Sequence, residues 1–322
     1  MGEHNMKLIS LFSGYGSQEL ALKYLDVNFQ SIAHCDIYAP ANQVFSVLHK
    51  TIMGNLGDIT KIDETQFPDC DFLTYSFPCQ DISISGIQKG IEIGTRSGLL
   101  YEVERILSYK QPKYLLMENV KNLISIKHRA NFERHIEFLN ELGYGCGWCV
   151  FNGADYGCPQ NRERVLMMSV QGMTNDQVSL MMNQAKENKI TRTTMRDFID
   201  TENIPDEFYI DCEIESYTPK KKSICRMTAI RKDVKYEQAQ RIYSIDGCSP
   251  CLTKTGVPQI MLDNGRVRKI TPRESYRFMG VREEDINKMM TVDISAGTHS
   301  GLAGNSICVP VMESIFKVFF KC

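Results

Sequence analysis

Short apolar runs alternate with stretches whose apolar residues recur at helical spacing along the first half of the chain. KLISLFSG (7–14) is an apolar run that ends in glycine, and SQELALKYL (17–25) follows with a helical period. NFQSIAHCD (28–36) reads as a strand ending in an acid, and PANQVFSVLHK (40–50) as a helix. DFLTYSFP (71–78) is a buried-looking strand, and SGLLYEVERILSYK (97–110) returns to helical spacing. KYLLMENV (113–120) is a strand ending in Glu118-Asn119; NFERHIEFLNELGY (131–144) is helical and CGWCVFNG (146–153) extended. Strands alternating with helices over 1–170 predict an α/β fold with a doubly wound, mostly parallel sheet.

Beyond about residue 170 the alternation breaks down. QVSLMMNQAKENK (177–189) has helical spacing, whereas 209–270 is a polar mix of short extended pieces and turns such as DNG (263–265). GNSICVPVMESIFKVFF (304–320) reads as a strand followed by a helix that rejoins the first sheet. The expected organisation is a larger domain of 1–170 plus 296–322 and a smaller one of 171–295.

Composition adds limits. The 322 residues are 43% hydrophobic and 24% charged, ordinary for a chain with a sizeable core. The start, MGEHNMKLISLFSG, lacks a basic segment followed by a long apolar one, so no signal peptide is expected, and no stretch is expected to cross a membrane. Twelve cysteines in a chain of this size fit a reducing cytoplasm better than a disulfide framework. The two CxxC pairs, Cys146/Cys149 and Cys248/Cys251, are not read as a zinc site, and no metal is expected. A net charge of −2 argues against wholesale coating of nucleic acid but leaves room for a local basic face.

The candidate chemistry lies at strand ends, where open α/β sheets bind ligands. Gly14 and Gly16 separate a strand from a helix, and Asp36 ends the next strand about 20 residues on, the pattern of a nucleoside-binding turn and a ribose-binding carboxylate. Asp58 ends a third element. Cys79 follows Pro78 just past a strand, and a thiol there is a fair nucleophile. Glu118 ends another strand, and Arg162 and Arg164 stand two residues apart in GCPQNRERV (157–165), where Arg164 can fix Glu118 or a substrate carbonyl. From Lys220 to Arg241, eight basic residues stand against Asp233 and Glu237, an excess of six positive charges that suits a phosphate backbone.

In the order FSGYGS, Asp36, GDI, SFPCQDISISG, ENV, QNRER, RESYRFMG (273–280) and GNS (304–306), the chain resembles the cytosine-C5 DNA methyltransferase family, bacterial or phage type, over nearly its whole length. The resemblance implies a Rossmann-like cofactor-binding and catalytic domain and a small target-recognition domain acting on duplex DNA. It implies that Cys79 is the nucleophile, that Glu118 protonates N3 and that Arg164 orients a flipped cytosine, with Gln160 and Arg162 in support. S-adenosylmethionine would lie against Phe12, Gly14, Gly16, Asp36, Ile37, Asp58, Ile59, Pro78, Leu99 and Asn305, leaving S-adenosylhomocysteine as product. The loop after Cys79 (Gln80, Ser85, Gln88) and the basic residues Lys220, Lys221, Lys222, Arg226 and Arg231 would contact DNA. A cytoplasmic monomer, free of membrane contact and accompanied by a cognate restriction endonuclease, completes the expectation. The chain departs from the family at Ser17 and Gln18, at Ser76-Phe77 before PCQ, and by one extra residue in IEIGTRSG. The rival readings are the family's tRNA-methylating branch, whose CFT tripeptide is missing here, and a DNA-binding regulator without catalysis, against which Cys79, Glu118 and Arg164 argue.

Overall fold

The computed structural model describes residues 5–78, 97–218 and 223–320. The chain divides into two compact units, Met1–Phe151 with Glu163–Asn188 and Val311–Cys322, and Asn152–Arg162 with Lys189–Pro310.

The first unit holds a six-stranded sheet built from β1 (Met6–Leu11), β2 (Phe29–Cys35), β3 (Phe72–Tyr75), β4 (Tyr114–Val120), β5 (Tyr144–Asn152) and β6 (Glu163–Gln171). The strand order is β2-β1-β3-β4-β6-β5. The pairs β1/β2, β1/β3 and β3/β4 are parallel, and β6 runs antiparallel to β4, so the expected mostly parallel sheet is present. Helices α1 (Ser17–Tyr24), α2 (Ala39–Leu48), α3 (Leu100–Tyr109), α4 (Arg129–Glu141) and α5 (Asn175–Glu187) connect or follow these strands. β3 is buried at every position, the continuous apolar pattern of a central parallel strand.

A polar chain runs beneath the carboxyl end of β3. The Tyr75 hydroxyl lies 2.8 Å from His135 Nε2, His135 Nδ1 lies 2.7 Å from Glu104 Oε1, and Arg134 donates to both Glu104 oxygens. Burial alone would raise the Glu104 carboxyl, but bonds from His135 and Arg134 hold it below its ordinary range. These contacts tie β3, α3 and α4 together.

Two boundaries differ from expectation. Helix α5 belongs with the first unit because it lies against β5: a Cβ on Gly147 would fall 2.5 Å from the backbone nitrogen of Ser179. GNSIC forms no strand. Helix α9 (Ala296–Asn305) runs into this segment within the second unit, and α10 (Val309–Phe319) follows after a short break. The apolar face of α10 does return to the first sheet, where Phe316 meets Phe72 at 5.6 Å between ring centroids. By length and composition the run Ala296–Phe319 could pass for a membrane span, contrary to expectation, but its apolar window is 67% buried inside the protein, as in a core helix.

The second unit carries another six-stranded sheet, of β7 (Tyr209–Ile210), β8 (Ile214–Ser216), β9 (Met227–Arg231), β10 (Arg241–Ser244), β11 (Gln259–Met261) and β12 (Val267–Lys269), in the order β7-β12-β11-β10-β9-β8. Its helices are α6 (Glu237–Gln240), α7 (Pro272–Arg277), α8 (Glu283–Met289) and α9. The apolar cluster on this sheet is small, centred on Ala229, Ile242 and Val267. The same unit holds an ion pair between two fully buried side chains. Arg268 Nη2 and Nη1 donate to Glu274 Oε1 and Oε2 at 2.7 and 2.8 Å, while Glu274 also accepts from the Thr271 and Asp200 amides.

Removing one partner of such a pair strands the other charge in the interior. Glu274→Ala is expected to cost about 3–5 kcal/mol, measured by urea unfolding of the purified protein. A loss below about 1 kcal/mol, the range of exposed pairs, would contradict the buried pairing.

Candidate active site

The antiparallel register of β4 against β6 pairs Val120 with Arg164 and Glu118 with Leu166. Glu118 and Arg164 are therefore diagonal neighbours on one face of the sheet. Arg164 Nε sits 3.1 Å from Glu118 Oε1, with only 17% and 10% of the two side chains exposed. Arg164 Nη1 also donates to the Glu163 carbonyl at 2.8 Å, which fixes the guanidinium in its own strand. A carboxyl group at a strand end, nearly buried and held by one cation, is well placed to give or take a proton on a ligand above the sheet.

Asn119, between Glu118 and Val120, is a residue that the pattern of charges did not single out. Its Nδ2 donates to the Phe77 carbonyl at 3.1 Å and its Oδ1 accepts from the Val120 amide at 2.8 Å. The side-chain amide thus fixes the backbone two residues before Cys79. A buried asparagine at a strand end beside a second strand end was the available signal. Cys79 itself, with Gln80, Ser85 and Gln88, lies outside the described residues, as do Lys220, Lys221 and Lys222.

The β1–α1 turn gathers three left-handed residues, Phe12 at φ 55°, Gly14 at 56° and Gly16 at 80°. Such a conformation costs a bulky residue like Phe12 energy and is kept where the surroundings demand it. At Gly16 a Cβ would fall 2.5 Å from His49 Nε2 and 2.9 Å from Phe45 Cε2, so no side chain fits. Asp36 accepts from the Gly14 amide at 2.9 Å and the Tyr38 amide at 2.8 Å. Burial pushes its carboxyl up, and these amides oppose the shift. Ile37 beside it is 77% exposed, an apolar platform next to the carboxylate. Asp58 caps the turn Ile59–Lys61, accepting from the Thr60 amide and hydroxyl, and those bonds lower its pKa. Ile59 is buried, and Pro78 and Leu99 are half-buried. Main-chain amides, a carboxylate and exposed apolar surface at adjoining strand ends fit a nucleoside-containing cofactor.

Within the second unit, Gln160 and Arg162 are buried. Gln160 Oε1 accepts from the Leu252 amide at 2.8 Å. Arg162 donates through Nη1 to the Leu252 carbonyl at 3.0 Å and through Nη2 to the Gly304 and Ser306 carbonyls at 3.0 and 2.6 Å. Its guanidinium thereby braces the backbone on either side of Asn305, which is exposed at the end of α9. Arg226 is exposed. Arg231 is engaged with Asp233 and with Gln259 Oε1 at 3.1 Å, and 14% of its side chain is exposed.

The model of the family described as C-5 cytosine-specific DNA methylase matches residues 6–321. The type II methyltransferase M2.ScrFI of Lactococcus lactis subsp. cremoris is 38% identical over 277 residues, 83% of this chain and 71% of that protein. The type II methyltransferase M.HhaI of Haemophilus parahaemolyticus is 32% identical over 322 residues, 96% of this chain and 93% of that protein. Among solved structures, the S. pombe Dnmt2 methyltransferase superposes with a TM-score of 0.75 at 18% identity, covering 98% of each chain, a likeness of fold.

The β1–α1 turn offers a direct test. Gly16→Ala combines a left-handed backbone with a collision against His49 and Phe45, so a loss of about 1–3 kcal/mol in unfolding free energy is expected. An unchanged denaturation midpoint would show that the two rings move aside freely.

Proposed function

The chain belongs to the C-5 cytosine-specific DNA methylase family and methylates cytosine in DNA at C5, and on that premise we propose how its own residues divide the reaction. The observation that supports this division most is the Glu118–Arg164 pair, a carboxyl group held at the strand end beside the one that leads to Cys79.

The target cytosine leaves the duplex stack before reaction, at a cost of a few kcal/mol in pairing and stacking. The Cys79 thiolate adds to C6, forming an S–C6 bond, while Glu118 delivers a proton to N3, so that negative charge does not accumulate on the ring. C5 thereby becomes an enamine carbon. S-adenosylmethionine, the methyl donor of this family, supplies an electrophilic methyl group when bound. C5 takes that methyl group from the donor's sulfur, which would be left as S-adenosylhomocysteine. Water then takes the C5 proton, the C5=C6 double bond re-forms, the S–C6 bond breaks with its electron pair returning to the Cys79 sulfur, and N3 returns its proton to Glu118. Arg164 keeps the carboxyl oriented throughout, and Asn119 holds the Phe77 carbonyl and with it the approach to Cys79. Phe12, Gly14, Gly16, Asp36, Ile37, Asp58, Ile59, Pro78, Leu99 and Asn305 are the residues that would hold the cofactor. Gln160 and Arg162 support the second unit's backbone, and Arg226, Arg231 and the lysines 220–222 would meet phosphates.

The larger domain is read as cofactor-binding and catalytic and the smaller as target-recognising. The enzyme would work as a monomer on DNA inside a bacterial or phage-infected cell, beside a cognate endonuclease. The tRNA-methylating and catalytically silent readings are not favoured, since relatives at 32–38% identity are named as type II methyltransferases.

Bisulfite sequencing of DNA from cells expressing the protein is expected to reveal protected cytosines at one short sequence. Cys79→Ser is expected to erase that protection while leaving cofactor affinity within about threefold, because the thiol is not needed to hold the donor. Glu118→Gln should fold normally and slow the single-turnover rate by at least about a hundredfold, the usual contribution of a positioned acid. Wild-type rates in either variant would remove that residue from the mechanism.

A further inference from the structure

Immediately after β4 the chain forms the turn Lys121–Ile124 and then the segment 125–128 that leads into α4. This connection is built as a rigid tip. Leu123 is buried, and Val120 and Ile124 pack on the core of the first unit. The Ser125 amide bonds to the Asn122 carbonyl, and the His128 and Arg129 amides both bond to the Ser125 carbonyl, at 2.9–3.0 Å. On this tip Ile126 is 100% exposed, the one wholly exposed large apolar side chain among the described residues. An isoleucine left in water forgoes the stabilisation that burial would bring, and single exposed apolar residues are common enough to need a second observation.

That second observation is charge. Residues 121–129 hold Lys121, Lys127 and Arg129 and no acid, in a chain whose net charge is −2. All three cations are exposed. Lys121 reaches Glu163 at 2.9 Å and Arg129 reaches Glu133 at 2.7 Å, exposed pairs that a stronger anion can displace at small cost. The tip begins directly after the strand whose end carries Glu118 and Asn119, so it stands on the same edge of the sheet as the candidate active site.

We infer that the segment 121–129 is a DNA-contacting element beside the active site, with Lys127 and Arg129 on phosphates and Ile126 against the sugar and base edge between them. The inference rests on the proposed function and goes beyond it, because the contact lies on the first unit rather than in the basic tract of the second. An apolar wedge between cations is a combination by which proteins grip and locally unstack a duplex. A single isoleucine is too small a patch for a stable protein interface, whereas an exposed apolar side chain on a segment with three exposed cations and no acid of its own complements a phosphate-lined groove.

Fluorescence anisotropy on a duplex of random sequence, over a series of salt concentrations, separates the two contributions. Lys127→Gln with Arg129→Gln should weaken binding and reduce the salt slope by roughly 0.9 for each phosphate no longer neutralised. Ile126→Ser should weaken binding by about tenfold with the salt slope unchanged, since it removes apolar surface and no charge. Replacement of these exposed residues leaves the core intact, and unaltered thermal unfolding and S-adenosylhomocysteine affinity would confirm it. Unchanged affinity and slope in both variants, beside a wild type that binds and methylates DNA, would overturn the inference and leave the proposed function standing. A wild type that neither binds nor methylates DNA would overturn both.

Discussion

Seven residue pairs register β4 against β6, from Tyr114 with Val170 to Val120 with Arg164, and the candidate active site depends on that register. A slip of one residue would turn Arg164 to the opposite face of the sheet and leave Glu118 nearly buried without its cation. A buried charge whose partner is removed costs several kcal/mol, far more than any surface pair contributes. The register is held by the apolar residues between: Leu115, Met117, Val165 and Met167 are all within 1% of complete burial. Packing thus sets the register, and the register sets the chemistry. The same strand end supplies Asn119, whose amide reaches across to Phe77 and couples the acid's strand to the nucleophile's.

The cofactor side is organised by backbone more than by side chains. Three left-handed residues in five, a glycine pressed against His49 and Phe45, and a carboxylate fixed by two amides make a surface shaped before any ligand arrives. Preorganisation of this kind lowers what binding must spend on ordering. The second unit is held differently. The apolar cluster on its sheet is small, apolar residues such as Tyr276, Phe278, Met279, Ile286 and Met289 are buried around its helices, and buried polar groups, Arg268 with Glu274 and Arg162 with three backbone carbonyls, add directional bonds.

Much of the fold was legible because strands β1 to β4 are apolar runs separated by helices of clear period. The strand ends were legible too, since acids, glycines and a cysteine follow buried runs at Asp36, Glu118 and Cys79. What escaped depended on partners far along the chain. Nothing local in ERVLMMSVQ says that it pairs antiparallel with β4; the one hint of a change of direction was the lack of a crossover helix between β5 and β6. GNSICV looked extended because Ile and Val are good strand formers, yet α9 runs into it, Val309 begins α10, and Arg162 takes up the carbonyls of Gly304 and Ser306. Asn119 was legible as a strand end and as part of ENV, but its role was not, because its bond to the Phe77 carbonyl depends on the neighbouring strand.

The central claim, covalent catalysis by Cys79 with proton delivery from Glu118, is tested most directly by trapping. Duplex DNA carrying 5-fluorocytosine in place of cytosine is incubated with the protein and S-adenosylmethionine, denatured, and the adduct mapped by peptide mass spectrometry. Fluorine cannot leave C5 as a cation, so the final elimination stalls and the S–C6 bond persists. The account predicts a denaturation-resistant adduct on the peptide containing Cys79. No adduct under conditions where ordinary DNA is methylated, or an adduct on a different cysteine, would contradict it.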